Sequence, residues 1–320
     1  MTAQKKVSVI LVSKDRPDYL RDALDSLLPQ NRYIKEILIF DKSEDQAKAS
    51  RIKEIADEHS AILYTRPSVV NTSTLRNEGL VKATGDYLCF LDDDDYLFPG
   101  YIESQLTFLQ NGTSLVFCNY ITIKHPQHPL QLNRVMDKYA ALIKLRRWTA
   151  SMGFNHSVFS IQRNAFAFIA SFIPIIHGAM FRKDALEKIR FADQRIVCED
   201  LHLWILFYKN NLSMAFNKSV FAVYRIHDNN WSSLFSARHN LEFYMALKNE
   251  GAVSGKINQF ILSLKIYKFS QWGKLLNPSD KKAVRYSILK SFYLLPQIIR
   301  VLPYYIGLKY QNYISRKSLR

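Results

Sequence analysis

Through the first third of the chain, short apolar runs alternate with longer stretches in which apolar residues recur at helical spacing. The runs "VSVILV" (7–12), "EILIF" (36–40), "AILY" (61–64) and "DYLCFL" (86–91) have the length and β-rich composition of buried strands. Between them the pattern predicts helices over 18–28, about 45–58 and about 72–83. A βαβαβαβ rhythm implies a mainly parallel sheet covered by helices on both faces, with ligands bound beyond the carboxyl ends of the strands.

After Pro99, well placed to open a helix, the pattern gives a helix to about 111 and a strand at 114–123. Residues 125–175 carry a loop ("HPQHPLQ"), a helical stretch ("DKYAALIKLRRW") and an apolar segment (165–176) that fits a buried helix, a strand or a surface patch. Regular pattern returns with "IIHGAMF" (175–181), a helix from Lys183, a helix over 199–210 and a strand at 220–226. From Arg238 onward the chain reads as helical, basic and rich in tyrosine and leucine. The expected organisation is an α/β domain over 1–235, with a variable insert at 125–175, followed by a basic amphipathic helical extension over 236–320.

Composition sharpens this picture. With 320 residues, 48% hydrophobic and 13% aromatic, the chain holds enough apolar material for a substantial core. The net charge of +16 is concentrated late: residues 1–124 carry 15 basic and 18 acidic side chains, whereas 241–320 carry 14 and 3. Cys89, Cys118 and Cys198 are widely separated and odd in number, which argues against a disulfide framework or a cysteine zinc site and fits a reducing compartment. The N-terminal apolar run of six residues reads as a first strand, not a signal peptide, and no uninterrupted apolar stretch is long enough to span a bilayer.

The candidate chemistry begins at "LDDDDYLFPG" (91–100), directly after the fourth strand. Ionised carboxylates about 6 Å apart repel by roughly 2–3 kcal/mol at an effective dielectric near 20, so four in a row call for a cation. None stands beside them in the sequence, and the relieving charge is expected to arrive with a ligand. In extended backbone, residues two apart face the same way, so Asp92 and Asp94 can address one ligand while Asp93 turns inward. Hard carboxylate oxygens in this Asp-x-Asp arrangement suit Mg²⁺ or Mn²⁺ carrying phosphate oxygens and water. The plainer alternative is an acidic loop capping the helix after Pro99.

Two further segments carry polar groups at strand or helix ends. "VCEDLHLWILF" puts Glu199 and Asp200 at the start of an apolar helix, where they are caps unless the fold brings them to the cleft of Asp94. In that cleft a carboxylate can take a proton from an acceptor hydroxyl. "YRIHDNNWS" (224–232) offers Arg225 and His227, either as an ordinary polar loop or with the imidazole toward a metal or a diphosphate. Arg76, at the head of "TLRNEG", suits an anion contact or a surface ion pair.

In order, "VSVILVSKDRPDYLRDALDSL", "EILIFDKSED", "TLRNEGLVKATGDYLCFLDDDDYLFP", "HGAMFRKDAL", "CEDLHLWILF" and "YRIH" resemble the family 2 glycosyltransferases of the GT-A fold, over about residues 5–230 apart from the insert. The resemblance implies a Rossmann-like GT-A domain and inverting, metal-dependent transfer of a sugar from a nucleotide-diphosphate donor, a UDP-sugar, to a hydroxyl of a glycan or lipid-linked saccharide. It assigns Ser13 and Arg16 to the nucleotide loop, Asp41 to the base, Arg76 to the nucleotide side, Asp92 with Asp93 to the donor, and Asp94 with His227 to Mn²⁺ or Mg²⁺. Asp200 matches the catalytic base, and Asp95 is left to support the turn. Two positions depart from the family pattern: Lys42 follows Asp41 where a second aspartate is usual, and "SKDR" replaces "TYNR".

The family and the charge together imply bacterial surface-polysaccharide assembly in the cytoplasm, at the inner face of the membrane, with the basic extension on anionic lipid. A solvated helical face is the simpler account of the extension. Nucleic-acid binding finds no recognised motif. A nucleotidyltransferase or a dinucleotide oxidoreductase is disfavoured because "LVSKDRPDYL" contains no glycine. A non-catalytic nucleotide-sugar-binding protein would dispense with Asp200.

Overall fold

The computed structural model describes residues 6–124, 175–193, 199–227, 237–251, 253, 259 and 261–266. The expected insert, Cys198 and most of the basic extension lie outside the described residues.

Among the described residues eight strands form one sheet: β1 (Val7–Ser13), β2 (Ile34–Asp41), β3 (Ile62–Thr65), β4 (Tyr87–Asp92), β5 (Tyr96–Leu97), β6 (Leu115–Lys124), β7 (Ala179–Arg182) and β8 (Met214–Ile226), in the order β3-β2-β1-β4-β7-β6-β8-β5. β1 pairs in parallel with β2 and β4, β2 with β3, and β6 with β8; β7 and the two-residue β5 run antiparallel to their neighbours. The sheet is therefore mainly parallel, flanked by helices, as the alternation implies. The short β5 was not legible, because two residues give no periodicity.

Helices among the described residues include α1 (Pro17–Asp25), α2 (Gln46–Glu58), α3 (Thr72–Lys82), α4 (Tyr101–Leu109), α5 (Lys183–Glu187), α6 (Glu199–Lys209) and α7 (Ala237–Asn249). Asp45 caps α2 by accepting from Ala47 and Lys48, and Asn71 caps α3 by accepting from Thr74. Helix α4 starts later than Pro99 suggests, after Gly100 at φ 87°, a left-handed conformation that glycine adopts without a Cβ penalty.

All seven residues of β1 are buried, and their alternation divides the core in two. Val7, Val9 and Leu11 face Leu20 and Leu24 of α1, Ile52 and Ile55 of α2, and Tyr101 and Ile102 of α4. Ile10 and Val12 belong to the other layer, with Leu75 of α3 and Trp204 of α6. Leu241, Phe243, Tyr244 and Leu247 of α7, beyond the expected boundary at 235, join that second layer. A Cβ on Gly79 would lie 2.6 Å from Ile10 Cγ2, so glycine there lets α3 settle on β1 and brings Arg76 to the strand ends.

Candidate active site

The parallel strands end together. Ser13 is in register with Asp41, and Val12 with Asp92, so the last residue of β1, the acid that ends β2 and the first of the four aspartates share one edge. Asp15, at φ 55°, knits the loops above them: its Oδ1 accepts from the N–H groups of Glu44 and Asp45, 3.0 Å each, and its own N–H donates to Ser43 Oγ at 2.8 Å. Asp41 is buried and accepts from Ser43 N at 3.1 Å and Ser43 Oγ at 2.6 Å; burial pushes its carboxyl upward. The Lys42 ammonium donates to the Val70 carbonyl at 3.0 Å, and burial pulls its basicity down.

The four aspartates do not depend on a ligand for relief, contrary to the expectation from their neighbours in sequence. Folding brings a separate set of partners to each. Asp92 accepts from Arg76 Nη2 at 2.6 Å. Asp93 is fully buried, accepts from Ser13 Oγ at 2.9 Å and Lys14 N at 3.2 Å, and pairs with Arg16 Nη2 at 2.6 Å. Asp94 meets Arg16 Nη1 and lies 3.0 Å from His227 Nε2, both at Oδ2. Asp95 accepts from the Arg225 N–H at 2.7 Å, and its Oδ2 is 3.0 Å from His177 Nδ1. Its N–H also donates to the Asp92 carbonyl at 3.1 Å, so Asp95 ties the turn to β8 and to His177.

These surroundings separate otherwise identical side chains. Burial works against ionisation at Asp94, but the His227 contact and the Arg16 charge prevail and hold its carboxyl down at about 2. At Asp93 burial wins over Arg16, pushing it up to about 6. Burial, with the charges of Asp94 and Asp92, raises Asp95 well above the usual carboxylate range, and burial lowers His177 to about 4, so its imidazole is neutral at pH 7. Burial lowers Arg16 and Arg76, yet the surrounding carboxylates outweigh it and raise both.

Helix α6 brings the other acidic pair to the same place. Arg76, 3% exposed, donates with Nη1 to Glu199 at 2.9 Å while Nη2 holds Asp92. Glu199 thus shares one guanidinium with Asp92, two residues before Asp94. Asp200 Oδ1 accepts from the Leu201 N–H at 2.6 Å; burial, then the charge of Glu199, pushes its carboxyl up to about 7. The helix is fixed by Trp204, edge-on to Phe117 at 4.8 Å and stacked on Phe181 at 5.8 Å. Just before it in the described chain, Asn77 Nδ2 donates to the Phe191 carbonyl at 2.9 Å and the Phe191 N–H donates to Asn77 Oδ1 at 3.0 Å, with the Phe191 ring 5.5 Å from the Arg76 guanidinium.

Carboxylate oxygens with an imidazole nitrogen form a donor set that Mn²⁺ accepts, and Mg²⁺ accepts the carboxylates. Two such sets occur here. Asp94 and His227 are one; ligand atoms of Asp92, Asp95 and His177, all within 4.8 Å of one another, are the other. The residues therefore fit a divalent cation. Asp94, Asp95 and His177 are buried, and Asp92 is half-buried.

Sequence reasoning named Ser13, Arg16, Asp41, Arg76, Asp92, Asp93, Asp94, Asp200 and His227. The structure gathers Ser13 and Arg16 to Asp93, Arg16 and His227 to Asp94, and Arg76 to Asp92 and the α6 start; Asp41 lies beside Ser13 in register. It adds His177, whose signal was a single polar residue inside the apolar run "IIHGAMF", and a larger part for Arg225, buried completely at the end of β8.

The sequence model of the glycosyl transferase family 2 matches residues 8–190. The chain belongs to glycosyl transferase family 2. Among curated family members, it is 24% identical over 240 residues to the glycosyltransferase GlyA of Streptococcus pneumoniae, covering 74% of this chain and 33% of that protein. It is 25% identical over 245 residues to an uncharacterised glycosyltransferase of Rickettsia typhi, covering 75% of this chain and 70% of the other. The chain thus spans a third of the first relative's length and somewhat over two thirds of the second's. Its fold is that of Staphylococcus aureus TarS 1–349, solved in complex with UDP-GlcNAc: TM-score 0.60 at 15% identity, covering 98% of this chain and 90% of that one. The GT-A expectation for this family 2 glycosyltransferase is thereby met.

Proposed function

We propose that this family 2 glycosyltransferase catalyses inverting, metal-dependent transfer of a sugar from a UDP-sugar to a hydroxyl of a glycan or lipid-linked saccharide. The observation that carries the proposal is the Arg76 bridge, which brings the α6 acidic pair beside the four aspartates. A base and a donor-binding edge then share one cleft. The UDP-GlcNAc complex of TarS, on the same fold, supports a nucleotide-sugar donor. A 23% identity over 241 residues to the minor teichoic acid biosynthesis protein GgaB of Bacillus subtilis supports a surface-polysaccharide product.

In the proposed mechanism Ser13 and Arg16 hold the nucleotide side of the donor, Asp41 takes the base, and Arg76 fixes Asp92 toward the ribose. Asp93, buried beneath Arg16 and Ser13, sets the position of both. Asp94 and His227 would hold Mn²⁺ or Mg²⁺, which would supply Lewis-acid stabilisation for the negative charge of the departing diphosphate. The His227 contact and the Arg16 charge hold Asp94 ionised at pH 7, as a metal ligand must be. Asp200 removes the proton of the acceptor hydroxyl as its oxygen attacks the anomeric carbon from the face opposite the leaving group. One displacement inverts the configuration without a covalent sugar–enzyme intermediate.

A cytoplasmic location and contact of the basic extension with anionic lipid are proposed with it, the latter from 14 basic against 3 acidic residues over 241–320. No helix among the described residues is long and apolar enough to cross a membrane. A panel of nucleotide sugars incubated with the protein in Mn²⁺ or in EDTA tests the donor class. Metal-dependent release of UDP is the expected result; formation of UTP and sugar 1-phosphate only when pyrophosphate is added would indicate a nucleotidyltransferase, and binding with no release a non-catalytic protein.

A further inference from the structure

Arg225 is 0% exposed at the end of β8, an expensive place for a guanidinium unless its donors are used. They are used toward two elements of the site. Its Nε–H donates to the main-chain carbonyl of Asp94, its Nη1 donates to Asp22 Oδ2 at 2.6 Å and its Nη2 to the Tyr19 carbonyl at 3.4 Å, both on α1. Its own backbone N–H donates to Asp95. The guanidinium is packed between the rings of Tyr19, at 4.6 Å, and Tyr96, at 5.2 Å. Tyr19 also takes the ring of His227, centroids 5.0 Å apart and 30° from parallel. The loop carrying Asp94 and the strand end carrying His227 are thus tied to α1 through one side chain and one ring.

We propose that Arg225 is a positioning residue for the cation site, holding Asp94 and His227 in the mutual geometry that a donor-bound cation needs, with Tyr19 as the brace for His227. The proposal rests on the metal role given above to Asp94 and His227. Lysine cannot replace Arg225, because a point charge reproduces neither the planar fork nor the stacking between two tyrosines. The chemistry also separates two duties: Arg225 acts on the metal ligands, whereas Ser13 and Asp41 stand on other strands, at the ends of β1 and β2.

The experiment measures Mn²⁺ binding in the presence of UDP by electron paramagnetic resonance of free ion, and UDP binding in EDTA, for wild type, R225K, Y19L, Y19F and D94N. Circular dichroism first establishes that each variant is folded. R225K and Y19L should weaken Mn²⁺ binding about tenfold to a hundredfold, as loss of residues that orient metal ligands does, with metal-free UDP binding unchanged. Y19F, which keeps the ring, should bind Mn²⁺ like wild type. Folded R225K and Y19L that bind Mn²⁺ normally while D94N does not would overturn the positioning role and leave the metal role of Asp94 standing. Normal Mn²⁺ binding by D94N as well would overturn both. Should R225K fail to fold, the difference between Y19L and Y19F decides.

Discussion

Arg76 and Glu199, 123 positions apart in the chain, meet at 2.9 Å, and the second arm of the same guanidinium holds Asp92. This one side chain joins the end of β4 to the start of α6. Removing it leaves two carboxylates facing each other without their counter-charge. For R76Q we expect a loss of about 3–5 kcal/mol in folding free energy, the scale for breaking a buried ion pair from one side, measured by urea unfolding. UDP release should fall with it, even at temperatures where the variant is fully folded.

The raised carboxyl of Asp200 fixes a pH dependence. A base must be ionised, so turnover should rise as pH increases through about 7 and level off above it. The upward shift comes from burial and then from Glu199, so E199Q, which removes the second cause, should move this acid limb to lower pH. Stability runs the other way: the folded state favours protonated Asp200, so that contribution is present below the ordinary aspartate range and lost as pH rises through about 7. The melting temperature of D200N, which does not titrate, should therefore gain on wild type between pH 5 and pH 8.

Trp204 is fully buried between Phe117 and Phe181 and holds α6 to the sheet. W204A should cost about 3–5 kcal/mol, the range for emptying an aromatic core position. Because α6 carries Glu199 and Asp200, its residual activity at full folding should also drop, whereas W204F should retain most of both.

The charge of residues 241–320 predicts binding to vesicles that contain anionic lipid and none to neutral ones. Sedimentation of the full chain with each vesicle type checks this, and raising the salt should weaken the binding. Neutralising Lys281, Lys282, Arg285 and Lys290 to glutamine should reduce it. Equal binding to neutral and anionic vesicles would remove the electrostatic basis of the membrane contact.

Much of the fold was legible because parallel strands buried on both faces read as continuous apolar runs, and β1, β2 and β4 did so. The position of the site was legible for the same reason, since "DDDD" follows such a run. The partners of those aspartates were not. Arg16, Arg76, His177, Arg225 and His227 come from four separate segments, and a local sequence shows the repulsion among four neighbours without the partners that folding supplies. Asp95 shows the limit most plainly: next to Asp94 in sequence, it accepts from the backbone of a residue 130 positions away.

Asp200 is the base on which the account turns, and Asp200→Asn tests it with volume and hydrogen-bonding capacity nearly preserved. Donor binding by calorimetry and UDP release with Mn²⁺ should be measured on the same preparation. The account predicts donor affinity close to wild type and release lowered by about a hundredfold or more, the contribution of a positioned general base. Wild-type turnover by folded D200N would contradict it.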